Sequence, residues 1–202
     1  DFEGKTYAGW GAPSEEAVIK AVMNEVGADF SKLNIVGSDG SGIAGLSDEV
    51  GKNKVNLGWE FYGWAIIKAM QDGYDLNYMP LADLDSRLDY YTPVIITNNK
   101  MIKKNSDTIQ KFMEATKKGY EYAIDHPSKA AEILHEDALS DTDLKFLKES
   151  QKYLSSQYAK DADSWGVMKD SVWDNYTDFM YETGLIDHKI DAKDQYTNEF
   201  VK

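Results

Sequence analysis

The chain has 202 residues, of which 42% are hydrophobic and 12% aromatic, enough for one sizeable core or two small ones. Its 22 basic and 35 acidic residues give a net charge of −13, which argues against nucleic acid and anionic lipid as partners. The absence of cysteine excludes disulfides, thiolate metal sites and a cysteine nucleophile.

The first half of the chain alternates strand-like and helix-like segments. Pro13-Ser14 opens a helix that runs to Val26, Tyr62–Asp72 forms another, and Gly42–Val50 forms a short one. Five short strands are predicted, at Lys5–Gly9, Asn34–Gly37, Val55–Trp59, Leu76–Pro80 and Thr92–Thr97. Strands that alternate with helices predict an α/β fold with a mainly parallel sheet and flanking helices.

The second half is predicted to be all-helical. Successive helices begin at Ser106, at Pro127 and after Ser140, where Asp143 is placed as the capping-box partner. A last helix spans Ser171–Thr183, and the polar tail Asp191–Lys202 is expected to fray.

Three stretches carry a family resemblance: Tyr7–Ala17 (YAGWGAPSEEA), Gly58–Trp64 (GWEFYGW) and Leu84–Thr97 (LDSRLDYYTPVIIT). Together they resemble the second lobe of NMT1/THI5-like solute-binding proteins, which are similar to carriers of the thiamine pyrimidine precursors hydroxymethylpyrimidine and formylaminopyrimidine. The resemblance covers residues 1–137, and the later helices fit by pattern alone.

The resemblance implies a periplasmic-binding-protein-like (type II) fold, in which two α/β lobes are joined by crossing strands. Residues 1–92 would form the second lobe. Residues 93–202 would supply the return crossing strand and the C-terminal helices of the first lobe, whose own sheet is missing. The helices would then pack on the second lobe or on a second chain, as a domain-swapped or packed dimer.

The resemblance also implies a function. The protein would be the extracytoplasmic, non-enzymatic component of an ABC importer, with a small pyrimidine and a transporter permease as its partners. It implies neither a cofactor nor a metal.

The loop Trp10–Ser14 is one half of the expected ligand site, because it follows a strand and opens a helix. Trp10 could stack on a pyrimidine or could belong to the core. Gly11 could shape the turn, and Ser14 could cap the helix or contact ligand. Free N–H groups at the helix start could hold a polar ligand atom.

The cluster Trp59–Trp64 is the other half, with one carboxylate, Glu60, among four aromatic residues. A carboxylate can accept from the amine of an aminopyrimidine and share a proton with its ring nitrogen. Glu60 is therefore the first choice for this contact and Glu15 the second, with a surface role for Glu60 as the alternative. Trp59, Tyr62 and, at the return crossing, Tyr91 complete the expected ligand-binding set.

Two other functions are weighed against this one. A sulfonate or nitrate carrier would favour arginine or lysine in its cleft, whereas these loops hold Glu15 and Glu60 and no arginine. A pyrimidine-synthase-like enzyme of the same fold would need histidine and a cysteine-rich iron motif. The three histidines have no metal-binding spacing and are interpreted as surface or capping residues: His126, His135 and His188.

Overall fold

The computed structural model describes residues 2–38, 40, 42–46, 55–160, 162 and 164–201. They divide into two compact units, each described by itself below. Unit 1 comprises residues 1–90 and 175–189, and unit 2 comprises residues 91–174 and 190–202. None of the described helices is long and apolar enough to cross a membrane.

Unit 1 is built on a small parallel sheet with the strand order β2-β1-β3. The strands are β1 (Thr6–Gly9), β2 (Asn34–Gly37) and β3 (Leu57–Gly58). In register, Gly9 pairs with Gly37 and Ala8 with Gly58. The three strands run in one direction, so their carboxyl ends share one edge of the sheet.

Helix α1 (Pro13–Glu25) holds unit 1 together because it is buried on two sides. Ile19 and Met23 pack with Tyr7 of β1, so this side of the helix covers the sheet. Val18 and Val22 pack in a second cluster with Leu88 and Phe179. The opposed apolar contacts fix the helix, and with it the loop that precedes Pro13.

The remaining helical elements of unit 1 are short. They are a π-helical turn Tyr62–Ile66, α2 (Ile67–Gln71), α3 (Leu81–Leu84) and 3-10 turns at Phe30–Lys32, Gly42–Gly45 and Ser86–Leu88. The predicted helices at Pro13 and Tyr62 are confirmed. Residues 47–50 of the predicted helix Gly42–Val50 lie outside the described residues.

Unit 2 is helical. It contains α4 (Asn99–Lys104), α5 (Ser106–Asp125), α6 (Pro127–Asp137), α7 (Leu144–Ser155) and α9 (Ala192–Gln195). Helix α8 (Asp170–Glu182) begins in unit 2 and continues into unit 1. Helices α6 and α7 pack together, and Ala131, Phe146 and Leu147 are buried.

Two of the five predicted strands are wrong. Leu76–Pro80 and Thr92–Thr97 form no strand, and in the second segment Val94, Ile95 and Ile96 are 43%, 51% and 86% exposed. β-Propensity reflects how well side chains fit a pleated surface, and a strand also needs a neighbour to pair with. Within the described residues neither segment has one. The predicted third strand is also shortened, to β3 plus an isolated bridge at Val55.

Two details of the helical half also need correction. Ser140 does not cap α7. Asp143 is itself the N-cap, and its side chain accepts a hydrogen bond from the Phe146 N–H at 2.7 Å. The tail is not frayed, because Phe200 and Val201 are buried and supply apolar area to unit 2.

These observations support the coarse fold class, an α/β protein with a small parallel sheet and many helices, consistent with a periplasmic-binding-protein-like fold. The assignment of residues to two lobes remains a prediction. Residues 175–189, expected among the first-lobe helices, pack with residues 1–90 in unit 1.

Candidate functional site

The carboxyl ends of the three strands bring the two predicted half-sites of unit 1 together. Trp10 follows β1 and Trp59 follows β3. Their ring centroids lie 5.4 Å apart with the ring planes at 54°. Because tilted rings at this separation attract each other, the two loops support one another.

Trp10 is 60% exposed although it packs against Trp59. The core alternative for Trp10 is therefore unsupported. A large, rigid aromatic face is held open to solvent at the edge of the sheet where ligands bind in open α/β folds. Such a face is suited to stacking on a flat heteroaromatic ring.

Glu15 lies behind this aromatic pair and is only 2% exposed. Its Oε2 accepts hydrogen bonds from the backbone N–H groups of Trp10 and Gly11, both at 3.1 Å. Its Oε1 accepts a hydrogen bond from the Tyr7 hydroxyl. Burial, the hydrogen bond to Glu15 and the nearby charges of Glu15 and Glu60 all raise the pKa of Tyr7, so its hydroxyl keeps the proton that it donates.

Several of the N–H groups around the start of α1 thus already have an acceptor within the chain. Pro13 has no N–H, the Glu15 N–H donates to the Ala12 carbonyl at 3.0 Å, and the Trp10 and Gly11 N–H groups donate to Glu15. The Glu15 carboxylate therefore takes up the N–H groups of the two loop residues that precede the N-cap Ala12.

Gly9 and Tyr7 are site-shaping residues that the sequence analysis did not single out. A Cβ built on Gly9 would lie 2.6 Å from the Glu15 Oε1 and 2.7 Å from the Tyr7 Cε1. Only glycine leaves room there for the carboxylate and the phenol. The signal that could have found them is the alternation of Tyr7 and Gly9 on one face of β1, facing the helix that carries Glu15.

Glu60 is partly buried, and burial raises the pKa of its carboxyl group above the ordinary value. Its Oε1 lies 3.4 Å from the position that a Cβ on Gly42 would occupy. Within the described part of the chain, the structure gives this carboxylate no hydrogen bond or ion pair. A partly desolvated carboxylate at the same edge as Trp10 is therefore able to accept from a ligand.

The remaining predicted contacts in unit 1 have mixed placements. The ring of Tyr62 packs on Tyr78 with the centroids 5.0 Å apart. Gly11 has φ +78°, which explains the need for glycine in this turn. Ser14 is exposed in the first turn of α1 and is not the cap, since Ala12 occupies the N-cap position without a side-chain hydrogen bond.

Tyr91 falls in unit 2, where its contacts are with residues of the same unit. Its hydroxyl accepts a hydrogen bond from the Lys169 N–H at 2.9 Å, and its ring lies 6.3 Å from that of Trp173. These contacts account for Tyr91 within its own unit, and a ligand contact by it remains a prediction.

Arg87, the single arginine, is fully engaged away from the strand ends. Its guanidinium binds Asp85 through Nε at 3.0 Å and Nη2 at 2.6 Å, and Glu182 through Nη1 at 2.7 Å. It also lies 5.5 Å from the centre of the Phe179 ring. This arginine joins the turn Ser86–Leu88 to α8 and is not available to bind an anion.

Among the described residues, no group of three or more histidine, aspartate or glutamate side chains is arranged to hold a metal ion.

Comparison with known proteins decides the family. The model of the NMT1/THI5 like family matches residues 1–130, more than half of the chain. The chain belongs to the NMT1/THI5-like family. The match includes both loops of the candidate site and the three strands that position them.

Two curated relatives of this NMT1/THI5-like chain are named as binding proteins. It is 25% identical over 138 residues to the formylaminopyrimidine-binding protein of Halalkalibacterium halodurans. The aligned residues make up 66% of this chain and 39% of that protein. It is 26% identical over 152 residues to the riboflavin-binding protein RibY of Chloroflexus aurantiacus. Here the aligned residues make up 69% of this chain and 41% of that protein. The chain therefore spans about two fifths of the length of these relatives.

Proposed function

We propose that this NMT1/THI5-like protein is a solute-binding protein whose ligand is a flat, amine-bearing heteroaromatic compound of the thiamine-pyrimidine type, such as formylaminopyrimidine or hydroxymethylpyrimidine. The observation that carries the proposal lies at one edge of the sheet. There the exposed Trp10 face packs beside Trp59, and the half-buried Glu60 carboxylate has no hydrogen bond or ion pair among the described residues.

The roles follow from the chemistry of an aminopyrimidine. Trp10 stacks on the ring, which contributes on the order of 1 kcal/mol beyond the buried area. Glu60 accepts a hydrogen bond from the exocyclic amine and shares a proton with the adjacent ring nitrogen, a pairing that its raised pKa favours. The name of the relative from Halalkalibacterium halodurans supports this class of ligand.

The electrostatics disfavour the alternative of a sulfonate or nitrate carrier. At the edge where the ligand is proposed to bind, the Glu15 carboxylate already accepts from the N–H groups of Trp10 and Gly11, and Glu60 adds a second carboxylate. Arg87 is held by Asp85 and Glu182. An anionic ligand would therefore meet repulsion, with no arginine near to compensate for it.

Membership of the family also supports a cellular role. In this proposal the protein is a carrier and not an enzyme, it lies outside the cytoplasm, and it delivers its ligand to the permease of an ABC importer. The binding-protein names of both relatives support the carrier role.

Calorimetry of the full-length protein with a panel of ligands tests the proposal. The panel contains formylaminopyrimidine, hydroxymethylpyrimidine, riboflavin and an alkylsulfonate. We expect a heat of binding from at least one of the two pyrimidines and none from the alkylsulfonate. The proposal is refuted if neither pyrimidine gives a heat of binding at high-micromolar concentration. If riboflavin alone gives one, the ligand is a flavin and not a pyrimidine.

A further inference from the structure

Among the described residues, the hydrogen bonds of the Glu15 side chain all come from β1 and the loop that follows it. Three donors converge on the carboxylate: the N–H of Trp10, the N–H of Gly11 and the hydroxyl of Tyr7. The group is 2% exposed, so these bonds operate away from water, where hydrogen bonds to a charged acceptor are strongest.

Two of the three bonds end on the loop that carries the aromatic face. Glu15 occupies the third position of α1, and it reaches back past the N-cap residue Ala12 to the backbone of Trp10 and Gly11. The helix itself is fixed on two sides by Val18 and Met23. Because the helix is fixed, the carboxylate holds the loop at a fixed position through these two hydrogen bonds.

The third bond prevents the carboxylate from turning away. Tyr7 is buried in β1 and its hydroxyl holds the Oε1, while the backbone of Gly9 lies against the same oxygen. The carboxylate is enclosed by strand, loop and helix, so its two oxygens have one arrangement that satisfies all three donors.

We infer that Glu15 is a positioning residue that holds Trp10 in its exposed, tilted contact with Trp59 before any ligand arrives. It does not contact the ligand, whereas Glu60 does. The inference deepens the proposed function, on which its binding readout rests, because a platform that is already ordered loses less conformational entropy on binding.

The test measures the platform and the binding separately in the full-length protein. The tryptophan pair should give an exciton couplet in the circular dichroism spectrum, identified as the signal that Trp10→Phe removes. Affinity for formylaminopyrimidine is measured by calorimetry. The variants are Glu15→Ala, Glu15→Gln and Glu60→Gln, with Glu16→Gln as the matched control at an exposed neighbouring carboxylate.

The expected results separate positioning from contact. Glu15→Ala should lose the couplet and about tenfold or more in affinity. Glu15→Gln should keep both within about threefold, because its amide oxygen still accepts from the two loop N–H groups. Its amide nitrogen would face the Tyr7 oxygen, so the Tyr7 hydroxyl loses its acceptor, which lowers stability and leaves the loop contacts in place. Glu60→Gln should lose affinity and keep the couplet, and Glu16→Gln should keep both.

Two outcomes would overturn the inference. Glu15→Ala could retain the couplet, or Glu15→Gln could lose as much affinity as Glu15→Ala while the couplet stays intact. Should Glu15→Ala fail to fold, Glu15→Met replaces it, filling a similar volume without a comparable acceptor. If no pyrimidine binds the unmodified protein, the proposed function fails, and the couplet alone decides the positioning role.

Discussion

At the scale of single residues, the site depends on a close contact between β1 and the start of α1. Tyr7, Gly9 and Glu15 meet there, and each needs the others: the phenol supplies a donor, the glycine supplies space and the carboxylate accepts. From the sequence, Glu15 is the second choice after Glu60 for the carboxylate that contacts an aminopyrimidine. Its burial depends on how strand and helix pack, and the order of residues does not reveal that.

A substitution at Gly9 tests this contact. In Gly9→Ala the new methyl group would lie 2.6 Å from the Glu15 Oε1, so the carboxylate or the Tyr7 ring must shift. We expect a loss of about 1–3 kcal/mol in the free energy of unfolding, the usual cost of overpacking. Urea denaturation measures it.

The cross-strand partner of Gly9 provides the matched control. Gly37 pairs with Gly9 in register, and a Cβ built on it meets no atom within 4 Å. Gly37→Ala should change stability by less than about 0.5 kcal/mol, as expected for a surface substitution. Equal losses in the two variants would show that the space beside Glu15 is not the reason for glycine at position 9.

Glu60 should make the stability of the protein depend on pH. Burial raises its pKa in the folded state, so folding favours the protonated form, and stability falls as pH rises above 4.5, the ordinary pKa of a glutamate side chain. Glu60→Gln should therefore raise the thermal midpoint at pH 7, and the gain should shrink below pH 4.5, where the acid is neutral in both states.

The control for this measurement is Glu149→Gln, at an exposed position of α7. It should change the midpoint little at either pH. A Glu60→Gln variant that is less stable than the unmodified protein at pH 7 would contradict the burial argument and indicate that the carboxylate is favourably paired in the fold.

At the scale of elements, the starts and ends of helices were predicted correctly because they depend on neighbouring residues. The start of α1 follows from proline at its first position, the long helix from Ser106 follows from its apolar periodicity, and the stop at Gly184 follows from a glycine with φ +75°. The segments Leu76–Pro80 and Thr92–Thr97 could not be judged in this way. A strand needs a partner that is distant in sequence, and a β-prone segment does not itself show whether such a partner exists.

The Arg87 junction was missed for the same reason, because its two acids lie far apart in sequence. Arg87→Ala should lower the free energy of unfolding by about 1–2 kcal/mol, since it leaves Asp85 and Glu182 without their shared partner. Arg87→Lys should recover only part of this, because lysine cannot form the two-pronged contact to Asp85. Urea denaturation reports the differences.

Lys68→Ala is the matched control for Arg87. Lys68 and Asp72 form an exposed i,i+4 pair in α2, and breaking it should cost at most about 0.5 kcal/mol. If Arg87→Ala proved as mild as Lys68→Ala, the guanidinium would not be what joins the turn Ser86–Leu88 to α8.

At the scale of the whole molecule, the parallel sheet explains why two half-sites far apart in sequence could be predicted together. The alternation of strands and helices implied that the loops after β1 and β3 share an edge, and the pairing of Trp10 with Trp59 fits that geometry. The course of the chain between the units was beyond such reasoning, because residues 175–189 return to unit 1 through tertiary packing around Phe179.

The central claim is that the Glu60 carboxylate recognises an amine-bearing heteroaromatic ligand beside the Trp10 face. The most direct test compares the affinity of the full-length protein and of its Glu60→Gln variant for formylaminopyrimidine by calorimetry, with Glu149→Gln alongside. We predict a loss of about tenfold or more for Glu60→Gln, the effect of removing a charged hydrogen-bond acceptor, and none for Glu149→Gln. Unchanged affinity in Glu60→Gln would contradict the claim.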